Sequence, residues 1–386
     1  MTWPLLVVVA AALGVSRMAY AQPTAGLAEA APSEPNKQTA AVGEPAQLEP
    51  SRDPSTGERA LALTAAVFPG VIVHGSGSWV LGRDQTGARL LVVEAGGLSL
   101  IFASLATLFY TGAARNLAAP AAASAVAGMG LFSISWQADL YAAIASPGGW
   151  GRAATRAPAW ETELGYRHLV DPRFQYRSFL VTALTARSDR VRFSPALWAS
   201  ADDSNSRLRL EVAYRFWGPT RAAPAADGSY LELELAATEH RYPRERFTLG
   251  TLEWFVGGRL DLQRLAPDLA GSFGEMGVGS AHQVTSFEVA AAESTSSQLL
   301  LQRFAFGVYE GDPSGAGGEW AMYYDHRHDD YAGGLLMPGL GSGVAGHIGL
   351  AGQHFFDRNW GFGVLFEVGS ACVAGLSGLF RDWGAP

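Results

Sequence analysis

The sequence predicts an antiparallel transmembrane β-barrel of about ten to twelve strands, an even number as such barrels use, preceded by a small apolar helical region. Three observations carry this. Apolar side chains recur at every second position from about Pro158 onward, the period of a strand with two unlike faces. Trp and Tyr gather near the ends of those runs, as in the aromatic girdles of membrane barrels. Only 17% of the 386 residues are charged and 48% are hydrophobic, against roughly 25% charged in a soluble domain.

Residues 3–15 form an apolar run, followed by Ser16, Arg17 and Met18 and then Ala19-Tyr20-Ala21. Small residues at the −3 and −1 positions predict a signal peptide, residues 1–21, cleaved after Ala21. The run is short for a membrane span, and no cysteine stands near the cleavage site to mark a lipoprotein. Residues 22–58 are rich in Ala, Pro and Glu. They carry too little apolar surface to offset the entropy of ordering, which predicts a disordered tether.

Residues 59–150 read as an apolar helical region. Three apolar segments stand out at 60–73, 90–112 and 117–144. The second is long enough to span a bilayer as a helix. The third repeats small residues at Ala119, Ala123 and Ala127, a spacing that lets helices approach closely. Pro69-Gly70, Gly75-x-Gly77 and Gly82-Arg83 punctuate the first. This run resembles the turn of small two-helix membrane modules and implies a helical hairpin. Long apolar helices favour retention in the inner membrane, but Ala and Gly lower the hydrophobicity here, and Glu94, Gln137 and Asp139 interrupt the segments. The expectation is a compact helical subdomain associated with the barrel or the membrane surface, with inner-membrane spanning as the alternative.

Residues 151–386 form the expected barrel domain. In 206–218, Leu208, Leu210, Val212, Tyr214 and Phe216 share one face, with Arg207, Arg209, Glu211 and Arg215 on the other. In 230–238, Leu231, Leu233 and Leu235 oppose Glu232 and Glu234. In 251–262, Leu252, Trp254, Val256, Leu260 and Leu262 oppose Glu253, Arg259 and Asp261. Residues 344–356 and 360–368 flank a turn at Asp357-Arg358-Asn359, and Trp360, Phe362, Val364, Phe366 and Val368 share a face. A girdle is assigned to Trp160, Tyr166, Trp198, Trp217, Trp254, Trp320, Tyr323, Tyr324 and Trp360. The charged face is read as the lumen. A meander sets the arginines of 206–218 beside Glu232 and Glu234, where opposite charges can pair across strands. A narrow interior of mixed charge predicts a filled barrel with little or no conductance.

From Pro158 onward the chain resembles Gram-negative outer-membrane β-barrels as a class. That resemblance implies outer-membrane lipid and the outer-membrane assembly machinery as partners. Such barrels usually end in an aromatic residue, whereas this chain ends Arg381-Asp382-Trp383-Gly384-Ala385-Pro386. Phe380 then takes that role, with a short overhang.

Chemistry is sparse. The net charge of −8 leaves no basic footprint for nucleic acid, and Lys37 is the sole lysine. With one cysteine, no CxxC, no HExxH, no nucleophile elbow and no P-loop, the common metal, redox and hydrolase signatures are missing, and no cofactor is expected. Cys372, in apolar company, reads as a small packing residue. The one polar cluster is Asp325, His326, Arg327, His328, Asp329 and Asp330. Histidine beside carboxylate can bind metal or exchange protons. On an extended strand, however, His326 and His328 take one face while Asp325 and Asp329 take the other. His347 and His354 on the next strand are candidate neighbours. The leading reading is a non-enzymatic barrel of structural, surface or narrow-transport role. The alternatives are an inner-membrane-anchored periplasmic β-domain that binds a partner, and a lipid-modifying barrel enzyme using the 325–330 cluster.

Overall fold

The computed structural model describes residues 53–146, 148–288, 293–312, 316–326, 331, 333 and 345–384. The signal peptide and nearly all of the expected tether lie outside the described residues. Helices and barrel belong to one compact unit, Thr56–Pro386.

Four helices come first: α1 (Thr56–Val67), α2 (Ser76–Val80), α3 (Asp84–Tyr110) and α4 (Arg115–Ile144). α1 stops one residue before Phe68-Pro69-Gly70, where proline cannot continue the backbone ladder. α3 starts earlier than hydropathy implies, because Asp84 in its first turn suits the positive end of the helix. Both α3 and α4 are long and apolar enough to cross a membrane. They pack closely at two glycines. A Cβ on Gly97 would lie 2.7 Å from the Gly128 carbonyl oxygen, and one on Gly128 2.5 Å from the Gly97 oxygen.

Twelve strands follow: β1 (Trp160–Val170), β2 (Ser178–Ser188), β3 (Val191–Ser200), β4 (Ser206–Trp217), β5 (Tyr230–Tyr242), β6 (Phe247–Asp261), β7 (Ser272–Phe287), β8 (Thr295–Gly311), β9 (Gly317–Asp325), β10 (His347–Phe355), β11 (Trp360–Val368) and β12 (Cys372–Asp382). Each bonds its sequence neighbours, and β1 bonds β12, so the antiparallel barrel is closed. Closure removes every free edge. β12 pairs β1 from Cys372 to Asp382, two residues past Phe380.

The expected 230–238 and 251–262 segments extend into β5 and β6. Residues 239–242, Glu-His-Arg-Tyr, lack an apolar face, so local pattern did not reach them. Their outward side chains, half-buried Glu239 and exposed Arg241, pair with each other at 2.6 Å, as groups beyond hydrocarbon do. At about 3.3 Å per residue and roughly 40° of tilt, the 17 residues of β8 rise about 40 Å, past the ~25 Å apolar band of such barrels.

Alternation assigns the wall. Leu208, Leu210, Val212, Tyr214 and Phe216 point outward and are exposed. Of the expected girdle, Trp160, Tyr166, Trp217, Trp254 and Trp360 are exposed outward. Trp198 and Tyr323 are corrections: both fall on inward positions of their strands, Trp198 against Tyr331 and Tyr323 against Glu367. A second correction is Cys372, which is exposed at the start of β12 rather than packed.

The hairpin lies on the outside of this wall. Gly274, Met276, Gln302, Phe304 and Phe306 occupy outward positions of β7 and β8, and α4 covers them. Gly130 faces the Phe304 ring, and Ile134 sits over Gly274. Leu90, Ile134, Ala138, Tyr141 and Phe306 share one apolar cluster, against which Met276, Phe304 and Val308 pack. At the end of the barrel that carries the N-terminus of β1, Thr86 donates to Asp268 (2.6 Å) and the Tyr141 hydroxyl to the Ala270 carbonyl (2.8 Å). The association expected from sequence is thus with the barrel wall.

Candidate functional site: the barrel interior

The interior is built from the odd positions of β4, β6, β7, β8 and β9 and the even positions of β3 and β5, which the register brings to one side. Arg192, near the start of β3, links several of these groups. Its guanidinium donates to Glu211 (2.5 Å), Glu232 (2.8 Å) and Glu234 (3.3 Å), joining three strands. Arg215 faces Glu232 in register and donates to it at 3.0 and 3.2 Å, with its guanidinium over the Tyr230 ring. Arg209 reaches past β5 to Glu253 of β6 (2.8 Å) and bonds Glu211 (3.3 Å) and Thr238 (3.3 Å). Arg207 is buried on the same face.

Further round, Arg259 bonds Glu275 (2.7 Å) and holds both oxygens of Glu319 (2.6 and 3.1 Å), a forked geometry that suits arginine. The Phe273 ring covers its other face. Asp261 ends β6, buried, and accepts the Gly228 N–H at 3.5 Å. Buried charges of this kind persist because each has a partner. Rings also lie on inward glycines of the adjoining strand: Phe255 over Gly277 and Gly279, Phe273 over Gly307, and Tyr323 over Gly349.

The opposite end is packed with aromatics. Phe179, Tyr176, Tyr242 and Tyr331 are buried together, with Trp198, Phe174 and Phe247 against them. Trp198 stacks on Tyr331, whose hydroxyl donates to Asn205 (2.6 Å). His240 meets the same Asn205 oxygen (3.2 Å) and the Tyr242 hydroxyl (3.0 Å).

Register unites all nine sequence-selected charges of β4, β5 and β6 on the inner face. Sequence reasoning missed Arg192, Glu275 and Glu319. Pro195 and Trp198 blur the alternation around Arg192, and Gly neighbours dilute it around the two glutamates.

The 325–330 cluster does not form one site among the described residues. β9 ends at Asp325, and of the cluster residues that follow only His326 is described. Asp325 is buried inward, opposite Arg303 and His347. His326 has left the strand and lies near the Tyr324 hydroxyl at 3.3 Å. His328, Asp329 and Asp330 lie outside the described residues. His347 points inward, 3.6 Å from Glu367, and His354 outward, 3.3 Å from Glu310. Their separation of seven residues puts them on opposite faces. Among the described residues no group of three or more His, Cys, Asp or Glu is placed to hold a metal.

The helices contain a polar centre that sequence reasoning read only as interruptions. Asp139 accepts the backbone N–H groups of Gly77 and Ser78 (3.0 Å each) and the Ser78 hydroxyl (2.7 Å). Glu94 accepts the His74 N–H (2.8 Å), and His74 Nδ1 meets the Ser135 hydroxyl (2.7 Å). All are buried. These carboxylates satisfy the backbone where α1 turns into α2, at Gly75 with φ 93°, and so hold the bundle closed.

Outside the spanning strands, the loop between β4 and β5 carries Asp227. Burial opposes its ionisation, but the Arg264 guanidinium (2.5 Å) and the Ser229 N–H (2.9 Å) hold its carboxyl below the usual range. In the β10–β11 turn, the N–H groups of Trp360 and Asn359, both 2.7 Å from Asp357, depress that carboxyl too.

No protein-family model and no curated protein matches the chain. Among solved structures it is similar to the KdgM porin (TM-score 0.32, 8% identity, 56% of this chain and 98% of that chain). It is also similar to the NanC porin (0.33, 11%, 58% and 100%) and to the outer-membrane protein Omp33 of Acinetobacter baumannii (0.28, 12%, 58% and 98%). The architecture rests on the strand pairing above: a closed antiparallel barrel of twelve strands preceded by an apolar helical region.

Proposed function

We propose that this protein is a non-enzymatic outer-membrane barrel with a sealed interior, acting as an envelope scaffold that carries a lipid-embedded helical hairpin. The observation that carries the reading is the interior guanidinium–carboxylate network, in which Arg192 ties Glu211, Glu232 and Glu234 of the next two strands and Arg259 of β6 reaches Glu319 of β9. In this reading the chain is exported by the signal peptide cleaved after Ala21, tethered through the segment that precedes α1 and inserted by the outer-membrane assembly machinery. Its partner is outer-membrane lipid. The cover of α4 over β7 and β8 favours strands and helices sharing one bilayer, which weighs against a helical anchor in a different membrane. The divergence of Asp325 and His326 weighs against lipid chemistry at that cluster.

Membrane fractionation with heat-modifiable gel mobility tests the address, and planar-bilayer recording tests the seal. Recovery in the outer-membrane fraction as a heat-modifiable band with little or no current is expected. Recovery in the inner-membrane fraction, or large stable single-channel currents, would overturn the reading.

A further inference from the structure

At the barrel end that carries the N-terminus of β1, the Asp189-Arg190 turn between β2 and β3 opens onto a cleft. Arg187, Arg190, Arg192, Arg215, Asp189 and Glu232 line it. The lining thus carries four guanidiniums and two carboxylates, with Glu161, Glu211 and Glu234 standing behind Arg187 and Arg192, and both lining carboxylates are engaged. Glu232 is held between Arg192 (2.8 Å) and Arg215 (3.0 Å), and Asp189 accepts the Thr220 hydroxyl (2.8 Å).

Arg187 stands apart from the other inward arginines. Its backbone N–H is fixed on the Ala159 carbonyl (2.8 Å), but its guanidinium makes no hydrogen bond, and its nearest carboxylate, Glu161, is 4.0 Å away. Among the described residues it is the one arginine with a terminal guanidinium nitrogen, Nη1, both buried and without a hydrogen-bond partner. Leaving a buried charged donor unsatisfied is costly, and such a group calls for a partner. Arg190, exposed on the adjoining turn, brings a second forked donor to the same rim.

We propose that this cleft binds a small anionic group, a carboxylate or a phosphate, between Arg187 and Arg190. Guanidinium forks match the paired oxygens of both anions. The cleft is narrow, so it takes one anionic group at the end of a solute or lipid headgroup. The site requires the barrel but not its sealed interior, so it stands or falls apart from the conductance reading.

The test uses the full-length protein folded in a zwitterionic detergent. Its thermal midpoint is followed by heat-modifiable mobility as sodium phosphate or sodium acetate replaces sodium chloride at fixed ionic strength. Saturable stabilisation is expected, with half-saturation weakened at least about tenfold by Arg187→Gln, the loss of one charge-assisted hydrogen bond. Arg190→Gln, an exposed change that leaves folding intact, should weaken it in the same direction. Arg241→Gln at the opposite end should leave it unchanged. If neither salt acts in detergent but phosphatidylglycerol stabilises the protein over phosphatidylcholine vesicles in an Arg187-dependent way, the anion is a headgroup phosphate. If no condition gives saturable, Arg187-dependent stabilisation, water alone solvates the guanidinium and the proposal is wrong.

Discussion

Gln302 of β8 points away from the barrel interior and donates its side-chain amide to the Ala123 carbonyl of α4, 2.8 Å away. An amide on the lipid side of a strand would be expensive in hydrocarbon. Here its N–H is satisfied by a helix that stands where lipid would otherwise be, while its Oε1 is buried without a hydrogen-bond partner. The wall and the hairpin therefore specify each other.

Gln302→Leu should loosen this seam. Loss of about 1 kcal/mol is expected for one neutral hydrogen bond, partly offset by the added apolar surface. A lowered thermal midpoint, together with faster proteolysis at the turn between α3 and α4, would register it. An unchanged protease profile would mean that apolar packing alone seats the hairpin.

Gly97→Val tests the helix crossing. Its Cβ would stand 2.7 Å from the Gly128 oxygen, closer than atoms tolerate, so the helices must separate. Overpacking of this kind typically costs about 1–3 kcal/mol. The variant should keep the barrel's heat-modifiable shift while the hairpin becomes protease-sensitive.

Arg192→Ala strands Glu211, Glu232 and Glu234 without their common cation. Removing one partner of a buried ionic network costs roughly 3–5 kcal/mol. The chemical midpoint of unfolding should fall accordingly, and any folded fraction should pass more current than wild type in planar bilayers. Adding Glu234→Gln to Arg192→Ala should recover part of the stability, since it removes one of the three carboxylates that shared the cation while Glu232 keeps Arg215 and Glu211 keeps Arg209.

Asp227 supplies a pH test. Its carboxyl is depressed from 3.8 in the folded protein, so its pair with Arg264 contributes fully above about pH 4 and is lost as pH falls through the lowered value. Asp227→Asn should therefore lower the midpoint at neutral pH. It should also flatten the decline of wild type below pH 4. Parallel curves for the two proteins would show that the pair adds nothing.

Much of the wall was legible from sequence because a strand declares its faces locally. Leu208 to Phe216 alternate with Arg207 to Arg215 whatever lies around them. The end of β5 was harder to read, because above the apolar band both faces are polar and the alternation vanishes. Trp198 and Tyr323 were misplaced for a related reason. An aromatic residue at a strand end suits a girdle and an interior plug equally, and only its parity within the strand decides.

The hairpin's position could not be read in the same way. Outward residues of β7 and β8 must be apolar whether they meet lipid or helix, so Phe304 and Phe306 carry no mark of α4. Glu94 and Asp139 looked like defects in apolar helices, because their partners, His74 and the Gly77-Ser78 backbone, lie 20 and about 60 residues away.

By itself, then, the sequence determined a β-barrel and two long apolar helices, since period and apolar length are properties of neighbouring residues. Which charges meet inside, that Arg187 is left without a hydrogen bond, and that the hairpin lies along the outer wall were decided only in three dimensions. Those outcomes depend on strand register and on contacts between distant segments, which no local pattern encodes.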